Sequence, residues 1–85
     1  MKEFTYTITD EQGIHARPAG MLVKQAAKYM STIKIVKGQK SADAKRLFGL
    51  MGLGVKTGED VTVTVEGADE DIAVKELETF FEENL

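Results

Sequence analysis

The chain has 85 residues, 42% of them apolar and 29% charged, with a net charge of −3 and a pI near 5.1. That length suits one domain spanning residues 1–85, with a small core and modest stability. Having no cysteine and a single histidine, the chain has no disulfide or thiolate chemistry and no zinc site of the usual kind, and its acidic balance argues against a nucleic-acid partner.

The first ten residues, MKEFTYTITD, contain no apolar signal core. No stretch approaches the ~20 apolar residues that a membrane span needs. A soluble, cytoplasmic chain without membrane insertion is therefore expected.

Residues 2–9, KEFTYTIT, alternate, with Phe4, Tyr6 and Ile8 on one face and threonines on the other. This predicts a half-buried strand. Asp10 to Gly13 is turn material. From Pro18 the period becomes helical, with Leu22, Val23, Ala26, Tyr29 and Met30 forming an apolar stripe. Proline suits a first helical turn, and the residue before it is pushed away from helical geometry. The helix is thus expected to start near Arg17 or Pro18, with His15 just ahead of it. Gly20 weakens its interior by ~1 kcal/mol relative to alanine.

TIKIVK, residues 32–37, alternates with Ile33 and Ile35 inward. Gly38 and Gln39 read as a hairpin turn, and Lys40 to Asp43 as a short returning edge strand. Residues 46–52 form a short helix in a glycine-rich apolar stretch. Val61 to Gly67 is the clearest strand, with Val61, Val63 and Val65 sharing a face. The last helix starts at Ala68 or Asp69 and carries Ala73, Leu77, Phe80 and Phe81 as its stripe. Asp69, Glu70 and Asp71 crowd its first turn, where negative charge complements the helix dipole. Lys28, Lys34, Lys37 and Lys40 read as solvated charges. The order is βαββαβα. Alternating strands with one wet face define an α+β two-layer sandwich, an antiparallel sheet with its helices on one side.

The segment GIHARPAG holds the only histidine and the only proline. A chain leaving a turn for a helix exposes amide N–H groups without intrahelical partners, which together with the macrodipole attract anions. His15 stands at that mouth. Arg17 adds a permanent charge with donors suited to phosphate. An imidazole is available as a neutral nucleophile at cellular pH. The combination can attack phosphorus and hold the product, and a phosphoramidate intermediate needs no cofactor. Ser31 and Ser41 have no supporting motif, so a hydrolytic triad has no basis.

GIHARPAGMLV resembles the active-site segment of the histidine-containing phosphocarrier family, HPr, of the bacterial phosphoenolpyruvate:sugar phosphotransferase system. AKRLFGLMGLGVKTGEDVTVTVEGADE is similar to that family's second signature and final strand, so the resemblance runs along essentially the whole chain. It implies an open-faced β-sandwich, a four-stranded antiparallel sheet covered on one face by three helices. It implies that His15 takes a phosphoryl group on Nδ1 from phosphorylated enzyme I and passes it to enzyme IIA proteins. Such a chain is a relay intermediate, not an enzyme with its own turnover, and meets its partners transiently as a monomer. Arg17 and Pro18 match the family's active-site arginine and proline, and Ala16 and Arg17 supply N–H groups at the helix mouth.

The resemblance also assigns a docking patch. Leu47, Phe48 and Met51 are expected outside, beside the His15 mouth, because Leu50 and Leu53 suffice for the inward face of a short helix. An apolar patch with adaptable methionine suits successive partners, and Met21, Lys24 and Arg46 complete its rim. Gly20, where many relatives carry alanine, either admits a closer partner or only weakens the helix. One departure stands out. Many Gram-positive relatives carry a regulatory serine where this chain has Arg46, so control by the serine kinase is expected to be absent. Two alternatives stay open: a regulatory binding module on the same fold, and a carrier serving another phosphorelay.

Overall fold

The computed structural model describes residues 1–85. In chain order it contains β1 (Lys2–Thr7), α1 (Ala16–Ala26), β2 (Thr32–Lys37), β3 (Lys40–Asp43), α2 (Leu47–Gly52), β4 (Asp60–Glu66) and α3 (Glu70–Asn84). The four strands form one antiparallel sheet in the order β1-β4-β2-β3. The last strand in sequence is therefore interior, and closes β1 and β2 around itself.

Strand alternation decides which face is covered. Phe4 faces Val63, Tyr6 faces Val61, and Ile33 and Ile35 face Val65 and Val63. The valines and isoleucines are buried, and the helices lie over them. The opposite face is polar, with Thr5 Oγ1 3.3 Å from Thr62 Oγ1 and Thr7 donating to Asp60 at 2.5 Å. Nineteen buried apolar residues make a core from all three helices and the sheet. Phe81 of α3 is its largest fully buried side chain. Its ring meets Phe4 and Tyr6 edge-on, with centroids 5.5 and 5.6 Å apart. Burying such a ring stabilises by roughly 1.5–3 kcal/mol and docks α3 on β1.

Three elements differ from the sequence-based expectation. The helix stripe was expected to run to Met30, but α1 ends at Ala26 and Met30 is 85% exposed. The cause is Asp69, whose carboxylate accepts the Met30 amide at 2.8 Å and the Ser31 amide and hydroxyl at 3.0 and 2.5 Å. Those amides are drawn out of the helix, and a tighter turn closes it through Tyr29 N–H to Ala26 C=O. The second difference follows from the first. The helix was expected to start at Ala68 or Asp69 with Asp69 in its first turn, but α3 begins at Glu70, and Asp69 stands ahead of it with no side-chain cap bond. Glu70 reaches back to the Gly67 amide at 3.1 Å instead. Finally, Lys37 is no solvated charge: its Nζ lies 3.0 Å from the Gly54 carbonyl and 3.0 Å from Glu59. It ties the end of β2 to the turn that leads into β4.

Tyr29 is buried between α1 and α3, where it donates to Glu76 at 2.5 Å and accepts from Gln25 at 2.6 Å. Burial, then the Glu76 carboxylate, push its hydroxyl up to about 12.

Hydrogen bonds from Ser31 and Met30 hold the Asp69 carboxyl below its usual range. The Gly67 amide does the same for Glu70, and Lys37 for Glu59. Each depressed group adds stability that is present above its unfolded value and lost as pH falls through its folded value. Urea unfolding is expected to show a midpoint that falls below about pH 4. Asp69→Asn is expected to flatten that acid limb while lowering the neutral-pH midpoint.

Candidate functional site

The segment from Ile8 to His15 is held at both ends. Thr9 and Asp10 donate their amides to the Leu85 carbonyl at 2.6 and 2.8 Å. The Asp10 carboxylate accepts the Gln12 amide at 2.9 Å, which makes a local turn. Its carbonyl accepts the Gly13 amide at 3.0 Å and the Thr57 hydroxyl. Ile14 then donates to the Val55 carbonyl at 3.1 Å and buries its side chain. Gly13 makes this crossing possible. Its φ is +68°, and a Cβ there would lie 2.2 Å from the Val55 oxygen. No other residue type fits both constraints.

His15 is the residue that opens α1, with extended backbone (φ −99°, ψ −170°) and a carbonyl that accepts the Ala19 amide at 2.9 Å. The helix therefore starts at Ala16, one residue ahead of the expected boundary. The Ala16 and Arg17 amides precede that first helical bond, and Pro18 has none to offer. Pro18 and Ala19 are buried and root the helix start in the core. The His15 side chain does not cap the helix. Its ring is 37% exposed and lines a shallow hollow. Along α1 the hollow is bounded by Arg17, Pro18 and Met21, opposite by Asp10, Glu11 and Gln12, and at the end of α3 by Glu83 and Asn84. The imidazole and Arg17 thus line one hollow, and the Ala16 and Arg17 amides stand unpartnered at the start of the helix beside it. A neutral ring nitrogen there can attack phosphorus, and the donors can hold the oxygens of the product.

The other candidate residues fall into two groups. Met21 lines the hollow and is 41% exposed, while Lys24 follows one turn later on α1. Leu47, Phe48 and Met51 are exposed on α2, with Phe48 at 85%, while Leu50 and Leu53 turn inward as expected. None of the α2 residues lines the hollow. Arg46 opens α2, largely exposed, with Nε 3.8 Å from Asp43. Gly20 has open space where a Cβ would stand.

Sequence reasoning missed two features. Asp10 was read only as part of a turn, yet its Oδ1 lies 3.9 Å from His15 Nε2. Its local signal was the turn chemistry of Asp-Glu-Gln-Gly, which says nothing about a neighbour five residues on. The end of α3 gave no signal at all, because Glu83 and Asn84 reach the hollow, and the Leu85 carbonyl reaches the Thr9 and Asp10 amides, only through the tertiary fold.

Fold and site together define a small α+β sandwich with a polar hollow built around one imidazole at a helix mouth. The family model described as the HPr component phosphorylation site of the phosphotransferase system matches residues 2–83. The phosphocarrier protein HPr of Lysinibacillus sphaericus is 43% identical over 83 residues, covering 98% of this chain and 94% of that protein. The HPr of Buchnera aphidicola is 45% identical over 73 residues, covering 86% of each. The crystal structure of HPr-C-His from Thermoanaerobacter tengcongensis matches with a TM-score of 0.93 and 42% identity, over 99% of this chain and 94% of that one. The chain belongs to the HPr phosphocarrier family of the bacterial sugar phosphotransferase system. It is a phosphoryl carrier protein, not a catalytic enzyme.

Two glycines separate site geometry from helix propensity. Gly13→Ala is expected to destabilise by about 2–3 kcal/mol, through forced positive φ and a clash with backbone. Gly20→Ala is expected to stabilise by about 0.5–1 kcal/mol. Chemical denaturation of both variants checks the pair.

Proposed function

We propose that His15 is the phosphoryl acceptor of this carrier, taking the group on Nδ1 from phosphorylated enzyme I and passing it to enzyme IIA proteins in the cytoplasm. The observation that carries this reading is the position of His15. It opens α1, with the Ala16 and Arg17 amides ahead of the first helical bond and Arg17 beside it in one hollow. Arg17 and the two amides bind the phosphoryl oxygens, and Pro18 holds the helix start rigid. The carrier acts as a monomer, since each partner must reach the same imidazole in turn.

Docking uses Met21 with Gly20 and Lys24 on α1, and Arg46, Leu47, Phe48 and Met51 around α2. The support is exposure: Phe48 is 85% and Met51 39% exposed, and Leu50 is the buried residue of that helix. Exposed apolar side chains of this size suit contacts that must form and break quickly. Arg46 removes the serine switch. A phosphoserine would add about −1.5 to −2 charge, whereas this position holds a guanidinium and no hydroxyl. Regulation by the ATP-dependent serine kinase, and corepressor action that depends on it, are absent in this reading.

Incubation with phosphoenolpyruvate, magnesium and enzyme I is expected to add one acid-labile phosphate, seen by intact mass and absent in His15→Ala. A folded wild-type protein that gains no phosphate would favour the regulatory-module reading. With ATP and the serine kinase, wild type is expected to stay unmodified, and Arg46→Ser to gain an acid-stable phosphate. Acid-stable phosphate on wild type would refute the loss of this control.

A further inference from the structure

The carrier reading leaves unassigned the one carboxylate that faces the imidazole. Asp10 Oδ1 lies 3.9 Å from His15 Nε2, and both side chains are about one-third exposed (34% and 37%). The other charged groups around the hollow are Glu11, Arg17 and Glu83. None of their carboxylates comes within 4.0 Å of the ring, so Asp10 alone pairs with it. Asp10 is also fixed in place rather than free to wander. Its amide is bound by the Leu85 carbonyl, its own carbonyl by Gly13 and Thr57, and its carboxylate by the Gln12 amide. At 3.9 Å the contact is an ion pair in waiting and not yet a hydrogen bond. Such contacts are commonly long in an unloaded site and tighten in the reacting complex.

Resting on the carrier reading, we propose that Asp10 is a positioning residue for His15. Its carboxylate keeps the ring proton on Nε2, which leaves the Nδ1 lone pair for phosphorus. Which nitrogen of a neutral imidazole carries the proton is set by the partner the other face offers. The step then balances without moving a proton. The Nδ1 lone pair forms the new N–P bond as the donor–phosphorus bond of phosphorylated enzyme I breaks, its electron pair leaving with the donor. The ring keeps its Nε2–H and becomes an imidazolium, and the Asp10 carboxylate offsets that charge. The same carboxylate logic orients the histidine of hydrolase triads.

The test uses the full chain labelled with nitrogen-15. Imidazole nitrogen shifts at mildly alkaline pH report the tautomer, and the initial rate of phosphate uptake from phosphorylated enzyme I reports the function. Asp10→Asn keeps an acceptor for the Gln12 amide, so the turn survives while the charge goes. It is expected to shift the tautomer population away from Nε2–H and slow uptake roughly fivefold, the scale of a half-exposed charge pair. Asp10→Ser, which also keeps an acceptor oxygen, serves if the asparagine variant fails to fold, and Asp10→Glu is expected to recover part of the rate. Wild-type tautomer populations in a folded, uncharged variant would overturn the proposal, even if uptake slowed, because the turn alone would then explain the loss. Wild-type uptake in that variant would overturn it as well. If the wild-type chain itself took no phosphate on His15, the carrier reading would fall, while the nitrogen shifts would still decide what Asp10 does to the ring.

Discussion

Everything at the site hangs on the backbone crossing between Gly13 and Val55. The loop from β1 must turn sharply enough to start α1 with His15 outward and Pro18 inward. It does so by laying Gly13 against the Val55 carbonyl, at a distance no side chain tolerates, and by giving that carbonyl the Ile14 amide. The acceptor is in turn held from elsewhere. Gly58 donates to the Ile8 carbonyl, Thr57 to Asp10, and the Lys37–Glu59 pair fastens the same turn to the end of β2. The imidazole is thus aimed by three segments far apart in sequence. That suits the acceptor role proposed for His15, where small misplacements relative to the reacting atoms are costly.

Core and candidate docking surface divide a single short helix between them. Leu50 is buried in α2, while Leu47, Phe48 and Met51 are left exposed. An exposed phenylalanine forgoes the transfer free energy its burial would contribute, ~1.5–3 kcal/mol. A chain this small has little stability in reserve, and the docking role proposed for this surface would account for that cost. At Gly49 of the same helix a Cβ would stand 3.6 Å from the Ala42 methyl, an ordinary contact that a side chain could make. Space therefore does not demand glycine there, whereas at Gly13 both the positive φ and the Val55 carbonyl do.

Local pattern carried most of the fold. The alternation of KEFTYT, TIKIVK and VTVTVE placed the right residues on the covered face, because period two on a half-buried sheet leaves few alternatives. The helix-opening position of His15 was also legible, since proline and its predecessor constrain the backbone locally. What periodicity could not see were side chains recruited from a distance. Met30 continues the helical spacing faultlessly, yet Asp69, 39 residues on, takes its amide and ends the helix early. Lys37 looks like any strand lysine until the Gly54 carbonyl and Glu59 are brought beside it. Asp10 looks like a turn aspartate until the turn it makes points its carboxylate at the histidine. Each miss is a charged group satisfying backbone or ring partners across the fold, a relation that spacing along one element does not encode.

The electrostatics of the hollow bear on why a phosphoryl group held there would leave again. A helix mouth and one guanidinium favour the dianion by roughly 1 kcal/mol each at a half-exposed site. Against them stand Asp10, Glu11 and Glu83 in a chain that already carries a net −3. A purely cationic pocket would further stabilise the phosphorylated state and so oppose onward transfer. Charges of both signs thus face a group that the N–P bond itself would hold, and both are open to solvent. Mixed charge suits the proposed relay, in which the same atom accepts from one partner and yields to the next, while the phosphoryl-transfer potentials of donor and acceptor set the direction of flow.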